Sequence, residues 1–303
     1  MGSSVLSVDG GGTKTAALVA TKAGAVQILT PAQGCNQQDG NGWDDALGAV
    51  LGQAKEIDFA VIGIPGFGEI PKHDHLVADF IATKIKAPHL IINDVELAFH
   101  GAFPSSDGVL LLAGTGSMAV GRTRGVMRRV GGWGHVLGDE GSAYWIGQRA
   151  LSFAASETDG RRSQDGFAER LTAKMDTPKH LFGLLDWTLQ NGESRARIAS
   201  LARIVDDMAL SGDPVAQAIL DAAADELLTL ANAASDDPTN WAHAGSVFKS
   251  EGLKAAVTKK LGPPVTPVAN ALVGGLHRAA TLANWPIADD WINHVAAHQM
   301  NIE

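Results

Sequence analysis

Cysteine is nearly missing from this chain: Cys35 stands alone among 303 residues. One thiol excludes an intrachain disulfide framework, and it excludes a zinc or iron–sulfur site built from the cysteines of one chain. Long apolar runs are missing as well. No stretch reaches the roughly 18 to 20 apolar residues that a membrane span needs. The opening MGSSVLSVDGGG has neither the basic region nor the apolar region of a signal peptide. A cytoplasmic, reducing setting is the expectation. Positive charge is not in excess either, since 24 Lys and Arg stand against 33 Asp and Glu, a formal net charge of -9. A nucleic-acid or membrane-surface binder would need a basic face, so neither partner is expected. An acidic chain can still bind a nucleotide, because backbone N–H groups and one metal ion suffice for the phosphates.

What is present suits a globular protein. Hydrophobic residues make up 45% and charged residues 19%, enough for a sizeable core, and the length fits two domains. Val5–Val8, Thr15–Ala20 and Ala25–Leu29 read as three strands joined by tight turns. Trp43–Lys55 has helical spacing, Phe59–Ile64 is a core strand, His75–Ile85 a helix, and Leu90–Ile92 a strand that ends at Asn93-Asp94. The layout then restarts. Val109–Ala113 is a strand, Gly114-Thr115-Gly116-Ser117 a turn, and Met118–Arg122 a returning strand. After the glycine-rich stretch from Gly131 to Gly141, helical periodicity covers Ala143–Ala155, Gly166–Met175, Arg195–Leu210 and Pro214–Ala234. Trp241–Ala244 is a last strand, followed by helices over Leu253–Lys260 and Ala269–Ala283. The expectation is an α/β protein with a first domain over residues 1–113 and a second over 114–303. Whether the final segment, from Asp289, packs back on the first domain stays open.

Five segments carry chemistry. In Asp9-Gly10-Gly11-Gly12-Thr13-Lys14-Thr15, a carboxylate ends a strand where it can hold Mg²⁺. The glycines let the backbone approach phosphate oxygens, and the Thr13 and Thr15 hydroxyls can donate to them. The spacing is not that of a Walker A loop, and a strand rather than a helix follows. Gly114-Thr115-Gly116-Ser117 has the loose look of a dinucleotide fingerprint, which would require a helix directly afterwards. The strand-like residues that follow favour a second phosphate hairpin. Asp94 follows a buried strand, and two roles stand open for it: helix N-cap, or general base toward a substrate hydroxyl. The fourth segment, Gly131 to Ser142, sets five glycines beside Trp133, His135, Asp139 and Glu140. An aromatic face and a carboxylate suit a sugar, whereas His135 reads as structural. The fifth, Gly245-Ser246-Val247-Phe248-Lys249, is a strand-to-helix turn placed to meet an adenine or ribose. Gly212-Asp213-Pro214 reads as a turn with a helix start. His73-Asp74-His75 lacks the further ligands of a metal site, and His294 and His298, at i and i+4 on a terminal helix, lack the glutamate of a metalloprotease.

Taken in order, DGGGTKT, NDVELAFHGA, AGTGSMAVGR, GGWGHVLGDEGSAYWIG and AGSVFKS resemble the eukaryotic-type N-acetylglucosamine kinases. These belong to the BadF/BadG/BcrA/BcrD ATPases, within the actin–hexokinase–Hsp70 superfamily. The resemblance implies two ribonuclease-H-like (actin-like ATPase) domains with a central cleft, ATP and Mg²⁺, phosphorylation of the 6-hydroxyl of N-acetylglucosamine, and a homodimer. Glucosamine or N-acetylmuramic acid is the alternative acceptor on the same fold, and an ATP-switched regulator of a protein partner is the other reading. By motif, Asp94 is similar to the catalytic base. Asn36, Gly132, Trp133, Gly134 and Asp139 resemble sugar contacts. Gly11, Gly12, Thr13, Lys14, Thr115, Gly116, Ser117, Gly212, Gly245 and Lys249 resemble nucleotide contacts, with Asp9 for the metal. The segment Ile64-Pro65-Gly66-Phe67-Gly68-Glu69 departs from the family's small-residue loop. The related reductase activators carry an iron–sulfur cluster on cysteines, and Cys35 alone does not supply one.

Overall fold

A computed structural model describes residues 3–37, 40, 42–175, 177, 180, 182–189, 195–288 and 290–300. The chain divides into two compact units, one of Met1–Ser106 with Thr266–Glu303, the other Asp107–Val265.

In the first unit, β1 (Ser4–Gly10), β2 (Lys14–Thr21) and β3 (Val26–Ile28) form an antiparallel meander. Two parallel strands, β5 (Ile57–Ile64) and β6 (His89–Asn93), extend the sheet on the other side of β1, giving the order β3-β2-β1-β5-β6. The two-residue β4 (Ala32–Gln33) pairs with β2 and is too short for any periodicity to announce it. Alternate residues of the central strands feed opposite faces. Leu6, Val8 and Ile62 join the core beneath α1 (Trp43–Leu51) and α2 (Pro71–Lys84). Val5 and Val61 join the core beneath α3 (Asp94–Ala102) and the late helices α10 (Ala271–Leu282) and α11 (Trp291–Met300). Burial on both faces explains why these strands read as continuous apolar runs rather than as alternation. Helix α2 begins four residues earlier than its apolar spacing suggests, because Pro71 fits the first helical position.

The second unit holds a four-stranded sheet in the order β10-β7-β8-β9. Strand β7 (Gly108–Ala113) pairs antiparallel with β8 (Ser117–Thr123) and parallel with β10 (Trp241–Ala244). The sequence reading passes over β9 (Val126–Gly131), whose two arginines and flanking glycines hide it. Among the described residues, six helices accompany the sheet: α4 (Ala143–Thr158), α5 (Phe167–Met175), α6 (Gly183–Leu189), α7 (Arg195–Leu210), α8 (Pro214–Ala234) and α9 (Glu251–Leu261). Their apolar faces and β7 share one core.

The division falls between Ser106 and Asp107, ahead of the expected boundary at Ala113, and residues 266–303 group with the first unit. Both differences follow from pairing. The whole of β7 is hydrogen-bonded to β8 and β10, so it goes with them. Helix α10 lies on β1, β2, β5 and α3, which holds the C-terminal segment on the first sheet. No helix among the described residues is long and apolar enough to cross a membrane.

One buried charge organises the helical side of the second unit. Glu157, in the last turn of α4, is 3% exposed. Its carboxylate accepts the backbone N–H groups of Asp165, Phe167 and Ala168 at the start of α5. Burial alone would raise its pKa, but these amide donors outweigh that effect and hold it below the ordinary carboxylate value. A depressed acid stabilises the fold above its unfolded pKa, and that contribution disappears as pH falls through the folded value. Glu157→Gln is therefore expected to lower stability by about 2 kcal/mol at pH 7. The gap to wild type should close as melting is followed down through and below about pH 4; a gap constant with pH would rule this account out.

Candidate active site

Strand β1 stops where its neighbours crowd it. A Cβ at Gly10 would stand 2.5 Å from Cys35 Sγ and 2.8 Å from the Gly63 carbonyl oxygen, so only glycine fits. The chain then turns through Gly11, Gly12 and Thr13, closed by the Gly11 N–H donating to the Lys14 carbonyl at 2.9 Å. Gly12, Thr13 and Lys14 are exposed, and Gly11 is half-buried. Backbone and two side chains thus line an open turn, as a phosphate cradle requires.

Thr15 corrects the expectation. It is fully buried, and its hydroxyl donates to the Gln33 carbonyl at 2.7 Å rather than facing a ligand. That bond ties the 32–36 segment against the hairpin, as does the Cys35 N–H donating to the Gly11 carbonyl at 3.1 Å. Half-buried Asn36 follows directly, so it is held beside the turn.

Asp9 and Asp94 share the same end of this sheet. Asp9 lies opposite Gly63 on β5, whose next residue, Ile64, lies opposite Asn93 at the end of β6. A Cβ on Gly63 would be 3.4 Å from the Asp94 Cα. The Cys35 thiol reports both carboxylates: burial raises its pKa most, a Thr15 hydrogen bond opposes this, and the charges of Asp9 and Asp94 raise it further. Of the two roles left open for Asp94, the cap position goes to its neighbour, although Asp94 Oδ1 also accepts the Val95 N–H at 3.0 Å. Asn93 is the N-cap of α3, its side chain accepting the Val95 N–H at 3.0 Å. Asp94 is the first helical residue, half-buried at the sheet edge.

Asp9 is half-buried, and desolvation raises its carboxyl above the ordinary value. A hard cation fits such a carboxylate, since its charge would favour the ionised form that burial penalises. Among the described residues no cluster of three or more metal-type side chains occurs, so a cation held at Asp9 would take most of its ligands from phosphate and water.

In the second unit, the β7–β8 hairpin rests on the start of α4. The N–H groups of Ala143 and Tyr144 donate to the carbonyls of Gly114 and Thr115 at 2.9 and 3.4 Å, and Ser142 caps the helix by accepting the Trp145 N–H. Thr115 is exposed at the tip. Gly245 is pressed against the end of β7, where a Cβ would strike the Ala113 carbonyl and stand 3.0 Å from the Gly114 nitrogen. Lys249 ends the following turn, exposed. The hairpin and the Gly245 turn are therefore neighbours.

Two residues stand differently from expectation. Ser117 is 3% exposed, and its hydroxyl donates to the Glu140 carbonyl at 2.6 Å, so it braces the hairpin and does not face a nucleotide. Asp139 is 2% exposed; one oxygen accepts the Ser117 N–H at 3.2 Å and the other accepts Arg195 Nη2 at 2.5 Å. In this arrangement it is an internal brace rather than a surface for a sugar hydroxyl. Gly212 closes α7 by donating to the Ala209 carbonyl at 2.9 Å, in an exposed turn where an added Cβ would touch nothing within 4 Å. The sugar-like loop is open by contrast. Trp133 is 73% exposed, between Gly132 and Gly134, both at positive φ. His135 packs edge-on against Tyr144 at 4.9 Å, a structural contact.

The family model of the BadF/BadG/BcrA/BcrD ATPases matches residues 6–280, a span that takes in both hairpins, Asp94 and the glycine-rich loop. The chain belongs to this family. It is 30% identical over 236 residues to the N-acetylmuramic acid/N-acetylglucosamine kinase of Clostridium acetobutylicum, covering 74% of this chain and 76% of that one. It is 27% identical over 249 residues to the N-acetyl-D-glucosamine kinase of Dictyostelium discoideum, covering 75% and 77%. A crystal structure from Chromobacterium violaceum, provisionally assigned as an N-acetylglucosamine kinase, superposes with a TM-score of 0.69 at 24% identity over 90% of this chain and 97% of that one. That likeness shows that the two chains share a fold. One site residue had no signal in the sequence: Arg195 opens α7, 56 positions from the aspartate it pairs with, and the family motifs do not reach it.

Proposed function

We propose that this protein is an ATP-dependent sugar kinase that transfers the γ-phosphoryl group to the 6-hydroxyl of N-acetylglucosamine. The observation that carries the proposal is Asp94 at the head of α3, sharing a sheet edge with Asp9 while Asn93 does the capping. Asn93 holds the cap position, and the half-buried Asp94 carboxylate stands at the sheet edge, where it could meet a substrate hydroxyl. Asp94 would accept the hydroxyl proton as the oxygen attacks phosphorus. Gly11, Gly12, Thr13 and Lys14 would receive phosphate oxygens in the first unit, and Thr115, Gly116, Gly245 and Lys249 would contact the nucleotide in the second. Trp133 would stack on the sugar ring, with Gly132, Gly134 and Asn36 setting its hydroxyls and acetamido group. Asp139 would act by holding the β7–β8 hairpin in shape. When bound, Mg²⁺ would offset phosphate charge, and Asp9 is the residue that would hold it.

The relatives named as amino-sugar kinases support the choice of acceptor. The test is ADP release in a coupled assay with N-acetylglucosamine, glucosamine, N-acetylmuramic acid and no sugar. Turnover stimulated by N-acetylglucosamine is the expected result. ADP release indifferent to every sugar would overturn the proposal in favour of a regulatory ATPase. A cytoplasmic homodimer is the assembly the resemblance suggests, checked by light scattering.

A further inference from the structure

Helix α7 carries two charges that its own stability does not call for. Arg195 opens the helix, where the dipole disfavours a cation, and Asp206 stands one turn before its end, toward the pole that disfavours a carboxylate. Neither belongs to the buried face of Ile198, Leu201, Val205 and Met208. Asp206 follows Arg195 by eleven positions. That interval is about three turns and 20° of rotation, so the two side chains leave the same side of the helix about 16 Å apart.

Each charge is committed to a turn of the second unit. Arg195 Nη2 donates to Asp139, whose other oxygen accepts the Ser117 N–H at 3.2 Å where β8 leaves its hairpin. Toward the far end of α7, Asp206 accepts the Ser250 hydroxyl. Ser250 directly follows Lys249 at the close of the Gly245 turn, and its oxygen also caps α9 by accepting the Leu253 N–H at 3.1 Å. The helix between these bonds has little room to slide. A Cβ on Gly147 of α4 would strike the Ile198 carbonyl, so α4 and α7 meet backbone to backbone. The N–H of Ala143, the first residue of α4, donates to the Gly114 carbonyl at 2.9 Å, which ties the same frame to the hairpin.

We propose that α7 is the strut that sets the spacing of the two nucleotide-facing turns, with Arg195 and Asp206 as its positioning residues. The inference rests on the sugar-kinase reading, in which Thr115 and Gly116 of the hairpin and Gly245 and Lys249 of the other turn contact one nucleotide. Phosphate contacts on the hairpin and base or ribose contacts on the Gly245 turn reinforce each other only while their separation matches that of the ligand's two ends. Releasing either end of α7 loses that match, and releasing the second end then adds little.

The test is a double-mutant cycle on the full chain, read as ADP affinity by calorimetry with Mg²⁺ present. Arg195→Gln and Asp206→Ala should each weaken ADP binding about tenfold, as loss of a charge-assisted hydrogen bond would give. Sites so far apart normally add, so independent bracing predicts about a hundredfold loss in the double variant. A strut predicts a loss close to the tenfold of either single variant. Arg195→Lys should recover part of the affinity, and it takes the place of Arg195→Gln in the cycle if that variant does not fold. KM for ATP should rise in each variant while KM for N-acetylglucosamine holds. An additive double variant would overturn the proposal, and so would a rise in KM for the sugar instead of ATP. Unchanged ADP affinity in Asp206→Ala would overturn it too, whether or not the Arg195 variants fold. Additive losses beside sugar-dependent ADP release remove the strut alone. An unaltered protein that binds no ADP removes the kinase reading and the strut with it. ADP binding without turnover on any sugar removes the kinase reading, and the cycle still decides the strut.

Discussion

Replacing Asp94 by alanine is expected to lower kcat for N-acetylglucosamine phosphorylation about a thousandfold, with ATP affinity kept. General-base catalysis contributes on the order of 10² to 10⁴ in rate, and phosphoryl transfer asks the protein for little other covalent chemistry. The fold should scarcely notice the change. Asn93 is the N-cap of α3 and shares the Val95 N–H with Asp94 Oδ1, so Asp94 offers the helix a second, shared acceptor and a favourable charge in its first turn. That charge is worth about 0.3–1 kcal/mol. The neighbouring variant gives the opposite signature: Asn93→Ala should reduce stability by about 1 kcal/mol through the lost cap while leaving the base in place. Melting curves beside steady-state kinetics separate the two. A large fall in melting temperature for Asp94→Ala, or turnover within a few-fold of wild type, would show that its part is structural.

The contrast between these adjacent residues marks how far the sequence could be read. Features that depend on near neighbours were legible. The run of three glycines after Asp9 announces a hairpin, and the apolar stretches around it announce strands buried on both faces. The competition at Asn93-Asp94 could be posed from sequence and not resolved, because either side chain can cap a helix and only the backbone path chooses. Features that depend on distant partners were not legible. Thr15 looks like a phosphate ligand until Gln33 is seen to take its hydroxyl, and Ser117 likewise until the Glu140 carbonyl is seen beside it. Asp139 looks like a sugar ligand until Arg195 is placed against it from the far side of the glycine-rich loop. In each case a polar residue of ordinary binding type is held inside by a partner that no local pattern names, as burial of a polar group demands.

The same logic explains the return of the C-terminal segment to the first unit, and it carries the largest stability effect expected in the molecule. Helix α10 meets α3 backbone to backbone. A Cβ on Gly274 would run into the Gly101 nitrogen and Cα and the His100 carbonyl carbon, and a Cβ on Gly101 would run into the Asn270 carbonyl. The Ala269 N–H donates to the Gly101 carbonyl at 2.9 Å across this contact. Backbone atoms cannot turn aside as a side chain can, so an added side chain must push the helices apart. Gly274→Val is therefore expected to reduce stability by about 3 kcal/mol or more, at the upper end for overpacking, although valine favours helix over glycine. Displacing α10 would also uncover Val273 and Leu276, which are fully buried against the first sheet. Limited proteolysis should then cut readily in the segment from Thr266 onward, with the melting transition lowered by several degrees. Gly252→Ala serves as the control, because its Cβ would meet Leu220 Cδ1 at an ordinary 3.5 Å. Equal stability of the Gly274 and Gly252 variants would mean that the two helices do not depend on this close approach.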